Sequence, residues 1–157
     1  MNRRYKYGKS SMLNISTLAK PLQDICHEAL AIANTRALHC PDIAITCGIR
    51  TAIEQNTLYL QGRRFTNGKY VKVGQTVTNC DGYKLISDHQ KTDATGGSLA
   101  LDFCAYISGA ANYSDENMAL IATCFFEAAS NQGHEIDWGG SYRSISDGSH
   151  ISLILSH

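Results

Sequence analysis

Apolar positions along the chain recur at two different spacings, which separate predicted helices from predicted strands. In residues 18–32 they fall three or four residues apart, the spacing of one face of an amphipathic helix. Residues 51–61 and 114–133 repeat this pattern, and the third segment opens with acidic residues that suit a helix N-terminus. Three helices are therefore predicted.

Shorter apolar runs, rich in β-branched residues or alternating with polar ones, predict strands. They cover residues 42–47, where Gly48 ends the strand and Arg50 lies just past it, 99–107 and 150–155. Asn67 and Gly68 stand between two extended, alternating segments, the arrangement typical of a type I′ hairpin. The chain thus mixes helices and strands, and no internal repeat is visible.

Length and composition predict a single domain spanning residues 1–157. Hydrophobic residues make up 43% of the chain and charged residues 18%, which is typical of an ordinary globular protein. Fourteen basic residues balance fourteen acidic ones, so no broad positive field is present to hold a polyanion. We therefore expect no nucleic-acid partner, and recognition by shape and local chemistry.

The N-terminus and the cysteines bear on the compartment. The basic N-terminal residues precede no apolar signal region, and no apolar run approaches bilayer length, so neither secretion by a signal peptide nor membrane insertion is expected. The six cysteines contain no CxxC pair and are predicted to be reduced thiols. A metal site built from Cys26, His27, His39 and Cys40 is a minority alternative, because its spacing matches no common zinc pattern.

One carboxylate falls inside an apolar strand, in the stretch LALDFCAY, where an unpaired charge would be unfavourable. This residue is Asp102; His89 lies in the polar segment before it, and His150 opens the last strand. Two histidines and a carboxylate are a typical ligand set for a catalytic zinc, which keeps a further position open for water. Asp147, three residues before His150, is placed to act as a general base. Spacing alone also allows each of these to be an ordinary surface or core side chain.

Several motifs in register resemble a known family. GIRT is followed by LYLQGR, SDHQ, LALDF, WGGSY and a final D-x-x-H, in this order over nearly the whole chain. This series resembles the zinc peptidases that include phage L-alanyl-D-glutamate endolysins and the D-Ala-D-Ala carboxypeptidases. The resemblance implies a small α+β fold in which helices pack on an antiparallel sheet and the zinc site lies in an open cleft.

The resemblance also implies roles for individual residues. His89, Asp102 and His150 match the positions that bind zinc in this family, and Asp147 matches the general base. Arg50, in the GIRT motif, matches an arginine thought to steady a substrate carbonyl or carboxylate. Three further residues are predicted to line the cleft, with helix-end, turn and core positions as the structural alternatives: Gln61, Ser87 and Trp138.

The spacing of the zinc motif departs from the family pattern S-x-H-x-x-G-x-A-x-D. Twelve residues separate His89 from Asp102 here, and we interpret KTDATG as an insertion, since surface loops accept extra residues at little entropic cost. Without a gap, Thr95 would fall on the ligand position and the site would be incomplete.

The function implied is that of a zinc-dependent peptidoglycan endopeptidase cleaving the L-alanyl-D-glutamate bond of the stem peptide. A phage or prophage endolysin of this kind would be a monomer made in the bacterial cytoplasm and released to the cell wall. Two alternatives stay open at this point: a D-alanyl-D-alanine carboxypeptidase, and a non-catalytic, zinc-stabilised wall-binding module.

Overall fold

A computed structural model describes residues 4–142 and 147–155. Helices and strands alternate irregularly along the chain, as expected for an α+β fold, and this predicted fold class is confirmed. The helices are α1 (Lys9–Ile15), α2 (Lys20–Thr35), α3 (Ala52–Leu60) and α4 (Asp115–Asn131). The strands are β1 (Asp42–Cys47), β2 (Arg63–Thr66), β3 (Lys69–Lys72), β4 (Ala100–Ile107), β5 (Ala110–Asn112), β6 (Glu135–Trp138) and β7 (His150–Ile154).

The main sheet is antiparallel and runs in the order β1-β4-β7-β6, with β5 added along β4. Strands β2 and β3 form a separate hairpin. Its two turn residues, Asn67 and Gly68, have φ angles of 52° and 77°, which agrees with the predicted type I′ turn.

The core lies between the main sheet and the helices α2 and α4. Side chains alternate between the two faces of a strand, so every second residue of β4 points toward the helices. Phe103 of β4 is fully buried there against Phe125 of α4, with ring centroids 5.2 Å apart. Asp102, the neighbour of Phe103, consequently belongs to the opposite face of the sheet.

Three features differ from the sequence-based predictions. The first long helix begins at Lys20 with Ala19 as N-cap, because this start puts Pro21 in the first turn, where its missing N–H is harmless. Helix α1, of seven residues, was not predicted. Strands β5 and β6 were also not predicted, since each is too short to give a readable alternation. Among the helices described, none combines the length and the apolar character needed to cross a membrane.

Candidate metal centre

Three adjacent strands bring polar side chains into one row on the sheet face away from the helices. Asp102 of β4 pairs with Cys47 of β1 on one side and with His150 of β7 on the other. Directly opposed residues of antiparallel strands share a face, so the three side chains lie together. The fold therefore joins residues that are 55 and 48 positions from Asp102 in the chain.

His89 reaches the row from a short 3-10 helix, Asp88–Gln90. Its Nε2 lies 3.1 Å from Oδ1 of Asp102, and its Nδ1 lies 2.7 Å from the carbonyl oxygen of Gly48. A carbonyl can only accept, so Nδ1 carries a hydrogen and Nε2 is the nitrogen left to bind a metal. Gly48 is suited to this place because a Cβ there would come within 2.1 Å of Thr17.

The extra residues between His89 and Asp102 form a closed loop. The amide of Leu99 donates to the carbonyl of Lys91 at 2.9 Å, so the chain leaves and returns at the same place. Inside the loop, Asp93 accepts from the amides of Thr95 and Gly97 at 2.9 and 3.0 Å. The insertion thereby leaves His89 next to Asp102, while Thr95 is exposed.

His150 contacts two carboxylates through its two ring nitrogens. Nδ1 lies 3.3 Å from Oδ1 of Asp102, and Nε2 lies 3.5 Å from Oδ2 of Asp88. Asp88 also forms an ion pair with Lys91 at 2.6 Å. A carboxylate on the outer nitrogen of a metal-binding histidine fixes the orientation of the ring. Asp88 was not singled out from the sequence, although its position beside His89 in the SDHQ motif was a usable signal.

Arg50 holds the other oxygen of the central carboxylate. Its Nη2 lies 3.1 Å from Oδ2 of Asp102, which leaves Oδ1 facing the two imidazoles. Its Nη1 donates to the side-chain oxygen of Gln55 at 2.8 Å, and Gln55 is fully buried in α3. Gln55 also escaped the sequence prediction, because a single buried glutamine leaves no mark on the apolar spacing of its helix.

Asp147 begins the turn that leads into His150. Its backbone amide donates to the carbonyl of Gly139 at 3.0 Å, and its side chain accepts from the hydroxyl of Ser149 at 2.8 Å. A Cβ on Gly139 would come within 2.4 Å of the Asp147 carbonyl, so the close approach requires glycine. The Asp147 carboxylate is exposed to solvent.

The three residues predicted to line the cleft occupy different places. Ser87 is nearly buried and caps the 3-10 helix, accepting from the amide of His89 at 3.4 Å. Trp138 donates from its indole nitrogen to the carbonyl of Gly148 at 2.8 Å, which supports the turn before His150. Gln61 is exposed at the C-terminal cap of α3, and the contact from this helix to Arg50 comes from Gln55 instead.

Two overlapping groups of potential ligands occur within the described part of the chain. Cys47, His89 and Asp102 form one group, and Asp102, Asp147 and His150 the other, with the ligand atoms of each group within 4.8 Å of one another. Asp102 is common to both. Imidazole nitrogens and a carboxylate are the donors that catalytic zinc sites use, so the residues present fit this metal. Cys47 adds a thiol that was predicted only as one of the reduced cysteines.

The minority alternative of a metal site between Cys26 and Cys40 is wrong for the region that the structure describes. Cys26 is buried while its neighbour His27 is exposed, so the two side chains diverge. The sulfur of Cys40 lies 3.7 Å from that of Cys124, a pair of free thiols inside the core.

The electrostatics of the centre favour an ionised Asp102. Burial disfavours the charged form, but hydrogen bonds from His150 and His89 outweigh it and hold the pKa of Asp102 well below its usual range. Burial likewise lowers the pKa of both histidines, and the contact with Asp102 more than reverses this effect. The Asp102 carboxylate thereby raises the pKa of His89 to about 10 and that of His150 to about 9. In the metal-free centre the two histidines therefore favour their protonated forms at neutral pH, next to an ionised Asp102.

The fold and this row of donors define a small α+β protein with a candidate metal centre on the open face of its sheet. Comparison with known proteins finds a similar protein in Escherichia phage T5, the L-alanyl-D-glutamate peptidase. The two sequences are 25% identical over 162 residues, and the match covers 96% of this chain and 98% of the phage protein. The crystal structure of the L-Ala D-Glu endopeptidase ChiX from Serratia marcescens has the same fold, with a TM-score of 0.67 and 21% identity, and covers 95% of this chain and 90% of that one. No protein-family model matches the chain. The resemblance to the L-alanyl-D-glutamate endopeptidases predicted from the motifs is confirmed.

Replacing Asp88 by alanine is expected to weaken zinc binding by about 10- to 100-fold, because His150 loses the carboxylate on its outer nitrogen. Asp88→Asn, which keeps an acceptor oxygen, should fall between the alanine variant and the wild type. Zinc affinity can be measured by competition with a chromogenic chelator, with Asp115→Asn on the exposed surface of α4 as the control. Equal affinity in Asp88→Ala and the control would contradict this role.

Zinc should stabilise the protein more strongly as the pH rises. The raised histidine pKa values stabilise the metal-free fold fully below their ordinary value of 6.5, and this contribution is lost as the pH rises through about 9 and about 10. Zinc binds the same nitrogens only when they carry no proton, so the stabilisation that zinc provides increases as the pH rises. Melting temperatures with zinc and with chelator at pH 6, 7.5 and 9 should separate progressively, and a constant difference would contradict the ligand assignment.

Proposed function

We propose that this chain is a zinc-dependent peptidoglycan endopeptidase that hydrolyses the L-alanyl-D-glutamate bond of the stem peptide. One observation carries the proposal: two imidazoles contact the same oxygen of a largely buried carboxylate, with a second carboxylate in reach. Both similar proteins bear this activity in their names, which favours it over removal of a terminal D-alanine.

Zinc would be held by His89, Asp102 and His150, and when bound it supplies Lewis acidity and makes water acidic near neutral pH. The protein prepares these donors in advance. The Gly48 carbonyl fixes the tautomer of His89, and Arg50 fixes the free oxygen of Asp102. Each histidine must release a proton before binding, which couples the loading of the centre to pH.

Asp147 is proposed as the general base. Its carboxylate is exposed, lies within reach of Asp102 and His150, and is held by a turn fixed on Gly139. It would accept the proton of the attacking water and return it to the leaving amine. The Ser149 hydroxyl donates to one of its oxygens, which leaves the other available for this transfer.

Arg50 has two roles in this proposal. Its contacts with Asp102 and Gln55 make it a support for the metal centre. The predicted role toward the substrate, stabilising negative charge on the carbonyl oxygen, requires a guanidinium N–H that faces the cleft. A substitution of Arg50 removes both roles at once, so it should lower zinc affinity as well as turnover.

The setting proposed for this activity is bacterial lysis by a phage or prophage. The similarity to a protein of phage T5 supports a phage origin for this protein, and its substrate would be the bacterial cell wall. The enzyme would act as a monomer, without a nucleic-acid partner or membrane insertion, after release from the cytoplasm to the wall.

A defined stem pentapeptide tests the bond that is cleaved. Zinc-loaded protein should release a fragment with an N-terminal D-glutamate, and His150→Ala should release none. Free D-alanine as the main product would replace the proposal by the carboxypeptidase. Folded, zinc-loaded protein that gives neither product would favour the wall-binding module.

A further inference from the structure

The β2–β3 hairpin, residues 63–72, concentrates positive charge in a chain whose net charge is zero. It contains Arg63, Arg64, Lys69 and Lys72 and no acidic residue, although the whole chain balances fourteen basic against fourteen acidic residues. Within residues 4–142 and 147–155, none of these four cations has a carboxylate at ion-pair distance. The hairpin is therefore a local cationic surface on a neutral protein.

The pairing of the strands places like charges together. Arg63 stands directly opposite Lys72, and Phe65 stands directly opposite Tyr70, so these four side chains share one face. Like charges in opposed positions destabilise a hairpin, and a hairpin of two strands is itself marginally stable. Arg63 is explained by folding, since it contacts the ring and carbonyl of Tyr59 and donates to Asn79. The exposed Lys72 opposite it is left to an anionic partner.

Aromatic rings extend the same face. Phe65 and Tyr70 are 61% and 46% exposed, although their centroids are only 5.0 Å apart. Tyr59 of α3 continues the row at 6.1 Å from Tyr70, and the guanidinium of Arg63 lies 3.9 Å above the Tyr59 ring. Exposed rings beside cations suit a partner that offers both carboxylates and the apolar faces of sugars.

The hairpin is connected to the metal centre through α3. This helix has nine residues and rises ~14 Å, with Arg50 just before its start and the hairpin just after its end. The segment that returns from the hairpin is fastened to the same helix, since Gln55 donates to the Cys80 carbonyl at 3.0 Å and Asn56 to the Asp81 carbonyl at 2.9 Å. A polymer engaged at the centre could reach the hairpin with its neighbouring units.

We propose that the hairpin is a second binding site for peptidoglycan, which holds the carboxylates and sugars of units next to the one being cleaved. This inference rests on the proposed function. Each uncut stem peptide carries free carboxylates, and these repeat along the glycan strands. The polymer is thus an array of anions that matches the cations on the two faces of the hairpin, and binding there should weaken as salt increases.

The test uses a hairpin variant and a control with the same change of charge. The variant Arg64→Gln/Lys69→Gln/Lys72→Gln removes one exposed cation from the aromatic face, Lys72, and two from the opposite face of the hairpin, and it leaves Arg63 on its tyrosine. The control Arg4→Gln/Lys6→Gln/Lys9→Gln removes three exposed cations near the N-terminus. Both are combined with Asp147→Asn for binding, so that the wall is not digested, and are tested without it for activity.

Cosedimentation with insoluble peptidoglycan across a salt series measures the binding. The hairpin variant should bind about tenfold more weakly than the control and lose most of the salt dependence. With Asp147 intact, its kcat/KM on a small soluble muropeptide should equal that of the control, while its activity on insoluble peptidoglycan falls.

Several results would overturn the inference. Equal sedimentation of hairpin variant and control would do so, as would a loss of binding to vesicles of anionic lipid with binding to peptidoglycan unchanged. Equal losses on soluble and insoluble substrates would assign the hairpin to the centre itself. Failure of the wild type to cleave the muropeptide would count against the proposed function, while cosedimentation would still decide the role of the hairpin.

Discussion

Replacing Asp147 by asparagine is expected to leave zinc binding intact and to lower turnover by about 10²- to 10⁴-fold. Asparagine keeps the shape of the side chain but cannot accept the proton of the attacking water. Asp147 also stands within ligand distance of Asp102 and His150, so its assignment as base rather than ligand makes a distinct prediction. A ligand would take zinc with it when replaced, and a base would not.

The measurement pairs zinc content with turnover on the same preparations. His150→Ala, which removes an assigned ligand, should lose both quantities, and Asp115→Asn should lose neither. An Asp147→Asn protein that turns over like the wild type would remove the general-base assignment. One that loses zinc together with activity would make Asp147 a ligand.

Replacing Asp102 by asparagine is expected to have the largest effect on zinc. Asp102 is the residue common to both ligand groups, and its two oxygens contact both histidines and Arg50. The amide nitrogen of asparagine would meet either a metal-binding nitrogen or the Arg50 guanidinium, and the charge that raises the histidine pKa values would be absent. Zinc affinity should therefore fall by more than the roughly 10- to 100-fold typical of losing an outer contact.

Zinc affinity and circular dichroism of Asp102→Asn check this prediction together. The metal-free variant should also lose the pH dependence of stability that the two histidines confer, because their pKa values return toward the ordinary range. If it does not fold, His89→Ala separates the two effects, since it removes one ligand and leaves the ion pair with Arg50. Wild-type zinc affinity in a folded Asp102→Asn protein would contradict the centre as described.

The elements that carry a long apolar pattern could be predicted from the sequence. Helices α2, α3 and α4 and strand β4 have many apolar positions at one spacing, and the Asn-Gly turn is a strong local signal. Strands β5 and β6 have three and four residues and depend on pairing with β4 and β7, which no local pattern reports. Their existence is a tertiary property.

The residues of the candidate centre likewise fall into those that the sequence indicates and those that only the fold reveals. His89, Asp102 and His150 could be selected because motif order fixed them, and a carboxylate in an apolar strand needed partners. Cys47 lies beside Asp102 across two strands and Gln55 holds Arg50 from α3, and nothing in their own sequence neighbourhood indicates these contacts. Asp88 stands next to His89 in the SDHQ motif, but its contact with His150 spans the fold. Their roles depend on strand register and on closure of the loop between Lys91 and Leu99.

The most direct measurement is mass spectrometry of the peptides released when purified protein digests peptidoglycan, without additive, with a metal chelator, and after zinc is restored. We expect new N-terminal D-glutamate ends that disappear with chelator and return with zinc. Product formation that persists in chelator would contradict the metal centre. Folded, zinc-loaded protein that releases no such ends would contradict the peptidase assignment itself.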